Sequence, residues 1–301
     1  MMPPHGLLSR RMVLTVLGAA ATLAPAGGWH AAAQDGAPGT LDLSVPEDLV
    51  TALWKLRGTL DDRLVYGWLS GTRYAVVDAE VRPLMGMRAG TFSRFSAGPD
   101  GTVVVKSFEL AFYTDVETGA LLDTLTMPFT GKTVTVPPIK LGPSLSFIKP
   151  VLADEETVEF AAPGATSADA MAVKGTGKVA TTLGPAVEKD GRVTIDTSLR
   201  TAITPAPGAP TTYYNEMVSY SGPADAVRDP NTVSAPLQVG YTGITSWRPW
   251  MEMGDTPGHT TSHAIGGKAF SPDDLPADYA DYCKRFYPDE FGDPDAVLAQ
   301  I

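Results

Sequence analysis

"SFELAFYTD", residues 107–115, alternates with a period of two. Phe108, Leu110 and Phe112 fall on one face, and Ser107, Glu109, Tyr113 and Asp115 on the other. Successive side chains of an extended chain point to opposite sides of a sheet, so the stretch reads as a strand with one apolar and one polar face. A polar face ordinarily meets water. If helices cover the outside of a barrel, that face becomes the lumen instead. Glu109 and Tyr113 are then a buried acid and phenol with perturbed titration. The choice between the two decides the architecture.

Short period-2 segments fill the rest of the chain, at residues 64–69, 73–77, 91–96, 102–113, 121–127 and 133–136. A second series lies at 157–161, 170–173, 178–183, 192–202, 212–220 and 237–247. Ser70-Gly71, Pro99-Asp100-Gly101, Glu117-Thr118-Gly119, Thr130-Gly131 and Asp190-Gly191 supply the turn chemistry between them. Helices are expected only at 46–56, where Glu47 and Asp48 suit a first turn, and at 276–286 and 293–301. The order helix, many strands, helices excludes an alternating parallel βαβ sheet. About a dozen strands must hide their edges, which predicts an all-β fold: a large antiparallel β-barrel or closed sandwich, lipocalin-like in style, plugged by its terminal helices. Two smaller barrels joined near residues 137–143 are the alternative. The proline-rich 204–210 reads as a loop.

Ser9-Arg10-Arg11-Met12-Val13-Leu14 reads as a twin-arginine signal, followed by an apolar run and Ala31-Ala32-Ala33. Cleavage is expected before Gln34, making 1–33 a leader and 34–301 a single β-barrel-like domain. The apolar run is shorter than the ~20 residues a membrane span needs. The expected partner of the leader is the twin-arginine export machinery, and the expected location is the periplasm. The formal net charge of −11 repels phosphate backbones and anionic lipid, so neither nucleic acid nor, after cleavage, membrane is an expected partner. The single cysteine, Cys283, has no internal disulfide partner and reads as a half-buried, inert thiol in an amphipathic helix.

Residues 246–268, "SWRPWMEMGDTPGHTTSHAIGGK", hold the remaining chemistry. The chain has four histidines; His5 and His30 lie in the leader, and His259 and His263 stand four apart here. The pattern Pro257-Gly258 and Gly266-Gly267 argues against a helix. A metal site needs a third ligand, which only Glu252 or Asp255 offers nearby. Acid/base use of one imidazole, oriented by Glu252 or Asp255, is the second reading, and ordinary surface the third. Trp247 and Trp250, with Arg248 between them, read as the wall of an apolar pocket or as the cover of the barrel mouth. Arg94 reads as a cross-strand partner for Glu109. There is no G-x-S-x-G elbow, dinucleotide fingerprint or P-loop, so no cofactor is expected.

"ELAFYTDVETGALLD" with "MPFTGKTVTV", and the 246–268 stretch with "LPADY" behind it, resemble the bacterial and fungal domain-of-unknown-function family DUF1838. That family's middle motif reads Asn-Pro-x-Thr-Gly, and this chain has Met127-Pro128-Phe129-Thr130-Gly131. The resemblance implies export and one large domain; it implies no activity. Three functions follow from the residues. The first is a cofactor-independent lyase, isomerase or hydrolase acting on a small apolar or aromatic molecule by His/carboxylate chemistry, with Glu109 and Tyr113 as acid or donor. The second is a non-catalytic carrier of such a molecule, and the third a metalloprotein using the histidine pair.

Overall fold

The computed structural model describes residues 39–150, 155–160, 175–204 and 211–301. The leader with its cleavage point, the expected strand at 170–173 and most of the loop at 204–210 lie outside the described residues. The chain runs α1 (Pro46–Arg57), β1 (Val65–Val77), β2 (Glu80–Ala97), β3 (Val103–Thr114), β4 (Thr124–Thr126), β5 (Thr133–Thr135), β6 (Ile139–Ile148), β7 (Glu156–Phe160) and β8 (Gly175–Leu183). It continues with β9 (Val187–Lys189), β10 (Arg192–Thr204), β11 (Thr212–Pro223), α2 (Ala224–Arg228), β12 (Gln238–Thr245), β13 (His259–Ala269), α3 (Ala277–Phe286), α4 (Pro288–Gly292) and α5 (Pro294–Leu298). Apart from the β4–β5 hairpin, the strands form one antiparallel sheet in the order β6-β3-β2-β1-β13-β12-β11-β10-β8-β7, with β9 on β10.

This sheet curls into a half-barrel with few helices, three of them C-terminal. The barrel-like antiparallel fold is therefore the one the alternation predicts. Among the described residues, no strand pairing joins its two ends, β6 and β7. The sheet passes residues 137–143 without a break, because β6 pairs with β3.

The two faces of β3 explain the layering. Phe108, Leu110 and Phe112 point outward beneath α3–α5 and pack with Phe92, Tyr279, Cys283 and Phe291. Phe92 and Phe108 stack with centroids 4.5 Å apart, and Phe112 meets Tyr282 at 5.6 Å and Phe286 at 5.8 Å. Each such ring is worth about 1.5–3 kcal/mol in burial. Ion pairs Arg88–Asp278 at 2.7 Å and Arg94–Asp295 at 2.6 Å tie the same helices to the sheet. The polar face of β3 therefore turns inward. Val103 and Val105, near its start, meet α1 through Leu53 and Leu56. At the other end Ala111 and Tyr113 meet Met127, Val134, Trp250 and Met251, so the β4–β5 hairpin and the turn Pro249–Met251 cover that end.

Ser70-Gly71 is not a turn. Both residues lie mid-strand in β1, and a Cβ on Gly71 would sit 2.2 Å from the carbonyl oxygen of His263, so glycine serves close strand approach there. The turns at Asp100-Gly101, Gly119, Gly131 and Asp190-Gly191 do take positive φ. Cys283 is fully buried, and burial pushes its thiol up to about 12, which leaves it inert at neutral pH.

Candidate functional site

The inner face between the two plugs is polar, and the pairing register lays it out in rungs. Glu216 of β11 stands opposite Gly243 of β12, Gly243 opposite Ser262 of β13, and Ser262 opposite Arg73 of β1. The next rung runs Val218, Tyr241, Ala264, Gly71, Met87 and Tyr113. Gly243 makes room in this layer: a Cβ there would lie 2.4 Å from the Tyr241 hydroxyl. The Tyr214 hydroxyl donates to Glu216 Oε2 at 2.6 Å and lies 3.4 Å from the Tyr241 hydroxyl. Arg73 is buried and donates from Nε to Ser262 Oγ at 3.1 Å. Its guanidinium lies 5.2 Å from the centre of the Tyr113 ring. Arg248 lies 5.9 Å from the ring of Tyr214, and Arg57, at the end of α1, 5.3 Å from that of Tyr220.

The electrostatics follow from this enclosure. Burial raises the Glu216 carboxyl above the ordinary carboxylate value, outweighing the Tyr214 hydrogen bond and the Arg57 charge that favour its ionised form. Burial is also the first cause that raises Tyr214, Tyr220 and Tyr241, with Glu216 adding to all three. Glu109 acts on Tyr214 and Tyr241 as well. Glu109 is five strands from β11 along the sheet, roughly 24 Å at ~4.8 Å per strand. By register it faces the same concave side as Tyr214 and Tyr241. Tyr214, Glu216 and Tyr220 are desolvated, yet each keeps part of its surface accessible. These side chains line the concave side of the half-barrel, its hollow.

The sequence-derived residues divide between this hollow and the outside. Glu109 and Tyr113 face the concave side, and Tyr113, Arg248 and Trp250 are buried at its end, with the Trp250 ring 5.8 Å from that of Tyr113. Trp247 is half-buried at the same end, and its indole N–H donates to the Thr256 carbonyl at 3.1 Å. The histidines are not brought there. In β13, Thr260, Ser262 and Ala264 are the buried set, so His259 and His263 project from the outer face beside Ile265, which is 59% exposed. His263 Nδ1 is 3.4 Å from Thr242 Oγ1, out in the open. Glu252 and Asp255 are exposed in the preceding loop, and among the described residues no imidazole is paired with a carboxylate. The expected imidazole base and its orienting acid are therefore not assembled. Arg94 also corrects its expectation: it lies on the outward side of β2 and forks onto Asp295, not Glu109.

Among the described residues, no three His, Cys, Asp or Glu side chains gather closely enough to hold a metal. Sequence reasoning missed Arg57, Arg73, Tyr214, Glu216, Tyr220 and Tyr241. The one available signal was Tyr214, Glu216 and Tyr220 falling on a single face of the 212–220 strand.

Residues 61–163 and 208–298, more than half of the chain, match the family described as "Protein of unknown function (DUF1838)". No curated protein matches the chain.

Proposed function

The chain belongs to the DUF1838 family, whose description assigns no activity, and from its interior we infer that it binds a small, largely apolar or aromatic molecule in the half-barrel and moves a proton on it. One observation carries this reading: the Tyr214–Glu216 hydrogen bond at 2.6 Å, set beside Tyr241 in a desolvated but unsealed hollow. A carboxyl raised above its ordinary value by burial is a stronger base once ionised, and a phenol beside it donates a hydrogen bond to a developing oxyanion. Trp250, Tyr113 and the methionines of the end plug supply the apolar wall. This keeps the acid/base lyase or isomerase class but moves the base from the imidazoles to Glu216.

The leader reading completes the proposal: a folded, periplasmic protein delivered by twin-arginine export, checked by N-terminal sequencing of the exported chain for a start at Gln34. The function is tested by thermal-shift screening of small aromatic and apolar compounds, followed by NMR of each hit in D2O. Exchange of a ligand C–H for deuterium that disappears in Glu216→Gln supports proton transfer. A hit that binds with no exchange and no turnover assigns the hollow to the carrier function instead.

A further inference from the structure

Three guanidinium groups lean on three phenol rings around the hollow: Arg57 on Tyr220, Arg73 on Tyr113 and Arg248 on Tyr214. The carboxylates that act on the Tyr214–Tyr241 pair are Glu109 and Glu216, and burial shifts Glu216 toward its neutral form. Lys268, on the same side of the sheet, is turned away, its ammonium held by the carbonyls of Lys55 and Gly58 and by the Ser234 hydroxyl. Among the described residues, the lining thus carries more cations than anions, inside a chain whose formal charge is −11. A lumen of sign opposite to the whole chain is not needed for solubility; it concentrates anions.

Resting on the reading that the hollow holds a small molecule, we propose that its ligand is an aromatic or unsaturated carboxylic acid bound as a monoanion. The planar guanidinium fork matches a carboxylate in geometry as well as charge. The rings of Tyr113, Tyr214, Tyr241 and Trp250 match a flat apolar body. Glu109, the other carboxylate in the lining, repels the second charge of a dianion such as a phosphate monoester. Arg73, held by Ser262, and Arg57, at the helix end, are the positions that confer this preference.

The test is calorimetry on the intact chain with matched probes: benzoate, phenylacetate and cinnamate, each against its amide, plus phenyl phosphate. Carboxylates are expected to bind about tenfold or more tightly than their amides. Arg73→Gln and Arg57→Gln are expected to remove most of that discrimination, weakening carboxylate binding far more than amide binding. Arg57 is only half-buried, so its variant keeps the test available should Arg73→Gln fail to fold. An amide that binds as tightly as its acid, or phenyl phosphate binding tighter than benzoate, overturns the anion assignment alone. Failure of every probe, charged or neutral, to bind the wild-type chain overturns the underlying hollow reading as well.

Discussion

Strand β13 has two faces with opposite fates. Thr260, Ser262 and Ala264 are buried and support Arg73 and Tyr241 inside the half-barrel; His259, Thr261, His263 and Ile265 stand on the outside. The outer set holds the residue type most associated with acid/base work. The inner set holds hydroxyls and a methyl group. On the inner side, burial shifts the titration of Glu216, Tyr214 and Tyr241. In the proposed site it is enclosure that matters, because desolvation is what shifts a proton affinity.

Substitutions that exchange one face for the other break or sharpen this contrast. The largest effect is expected from Glu216→Gln, which should lower any turnover that is found by about 10²–10⁴-fold. The same change should stabilise the fold in a pH-dependent way. Glu216 is raised in the native state above its ordinary 4.5, so the folded chain binds more protons there and wild-type stability falls as pH rises through that window. Glu216→Gln should therefore be more stable than wild type at pH 8 and lose that advantage below about pH 4.5. Urea melts at both pH values check it. Ala264→Leu, forcing volume against the buried layer that contains Tyr241, should cost about 1–3 kcal/mol, whereas the neighbouring Ile265→Ser should stay within about 0.5 kcal/mol. Ser262→Ala removes an acceptor from buried Arg73 and should cost about 1–2 kcal/mol by the same melts. His259→Ala with His263→Ala should shift stability by less than about 0.5 kcal/mol and leave ligand binding unchanged.

The period-2 alternation of residues 107–115 made the strand and its two faces legible, and turn glycines such as Gly101 and Gly191 marked the hairpin ends. Which face is inside was not legible. It depends on where α3–α5 settle, and they settle on Phe92, Phe108 and Phe112 through contacts far apart in the chain. The same limit hid most of the site. In β11, Tyr214, Glu216, Val218 and Tyr220 face in, while Tyr213, Asn215, Met217 and Ser219 face out. Both sets mix apolar with polar residues, so alternation carries no contrast there, and Tyr213 and Met217 end up exposed. Arg73 was visible only as a strand residue, because its partner Ser262 lies on a strand that Gly258 and the Gly266-Gly267 pair made ambiguous. The turn that holds Trp250 was legible because Pro249 ends the extended run whatever the tertiary context.

The most direct measurement is a carbon-13 NMR titration of the glutamate side-chain carboxyls, with the Glu216 signal assigned by its loss in Glu216→Gln. The account predicts a midpoint above 4.5 that rises further in Tyr214→Phe, where the hydrogen bond favouring the carboxylate is gone. A Glu216 that titrates at or below 4.5 and ignores Tyr214→Phe would contradict a desolvated site on the inner face.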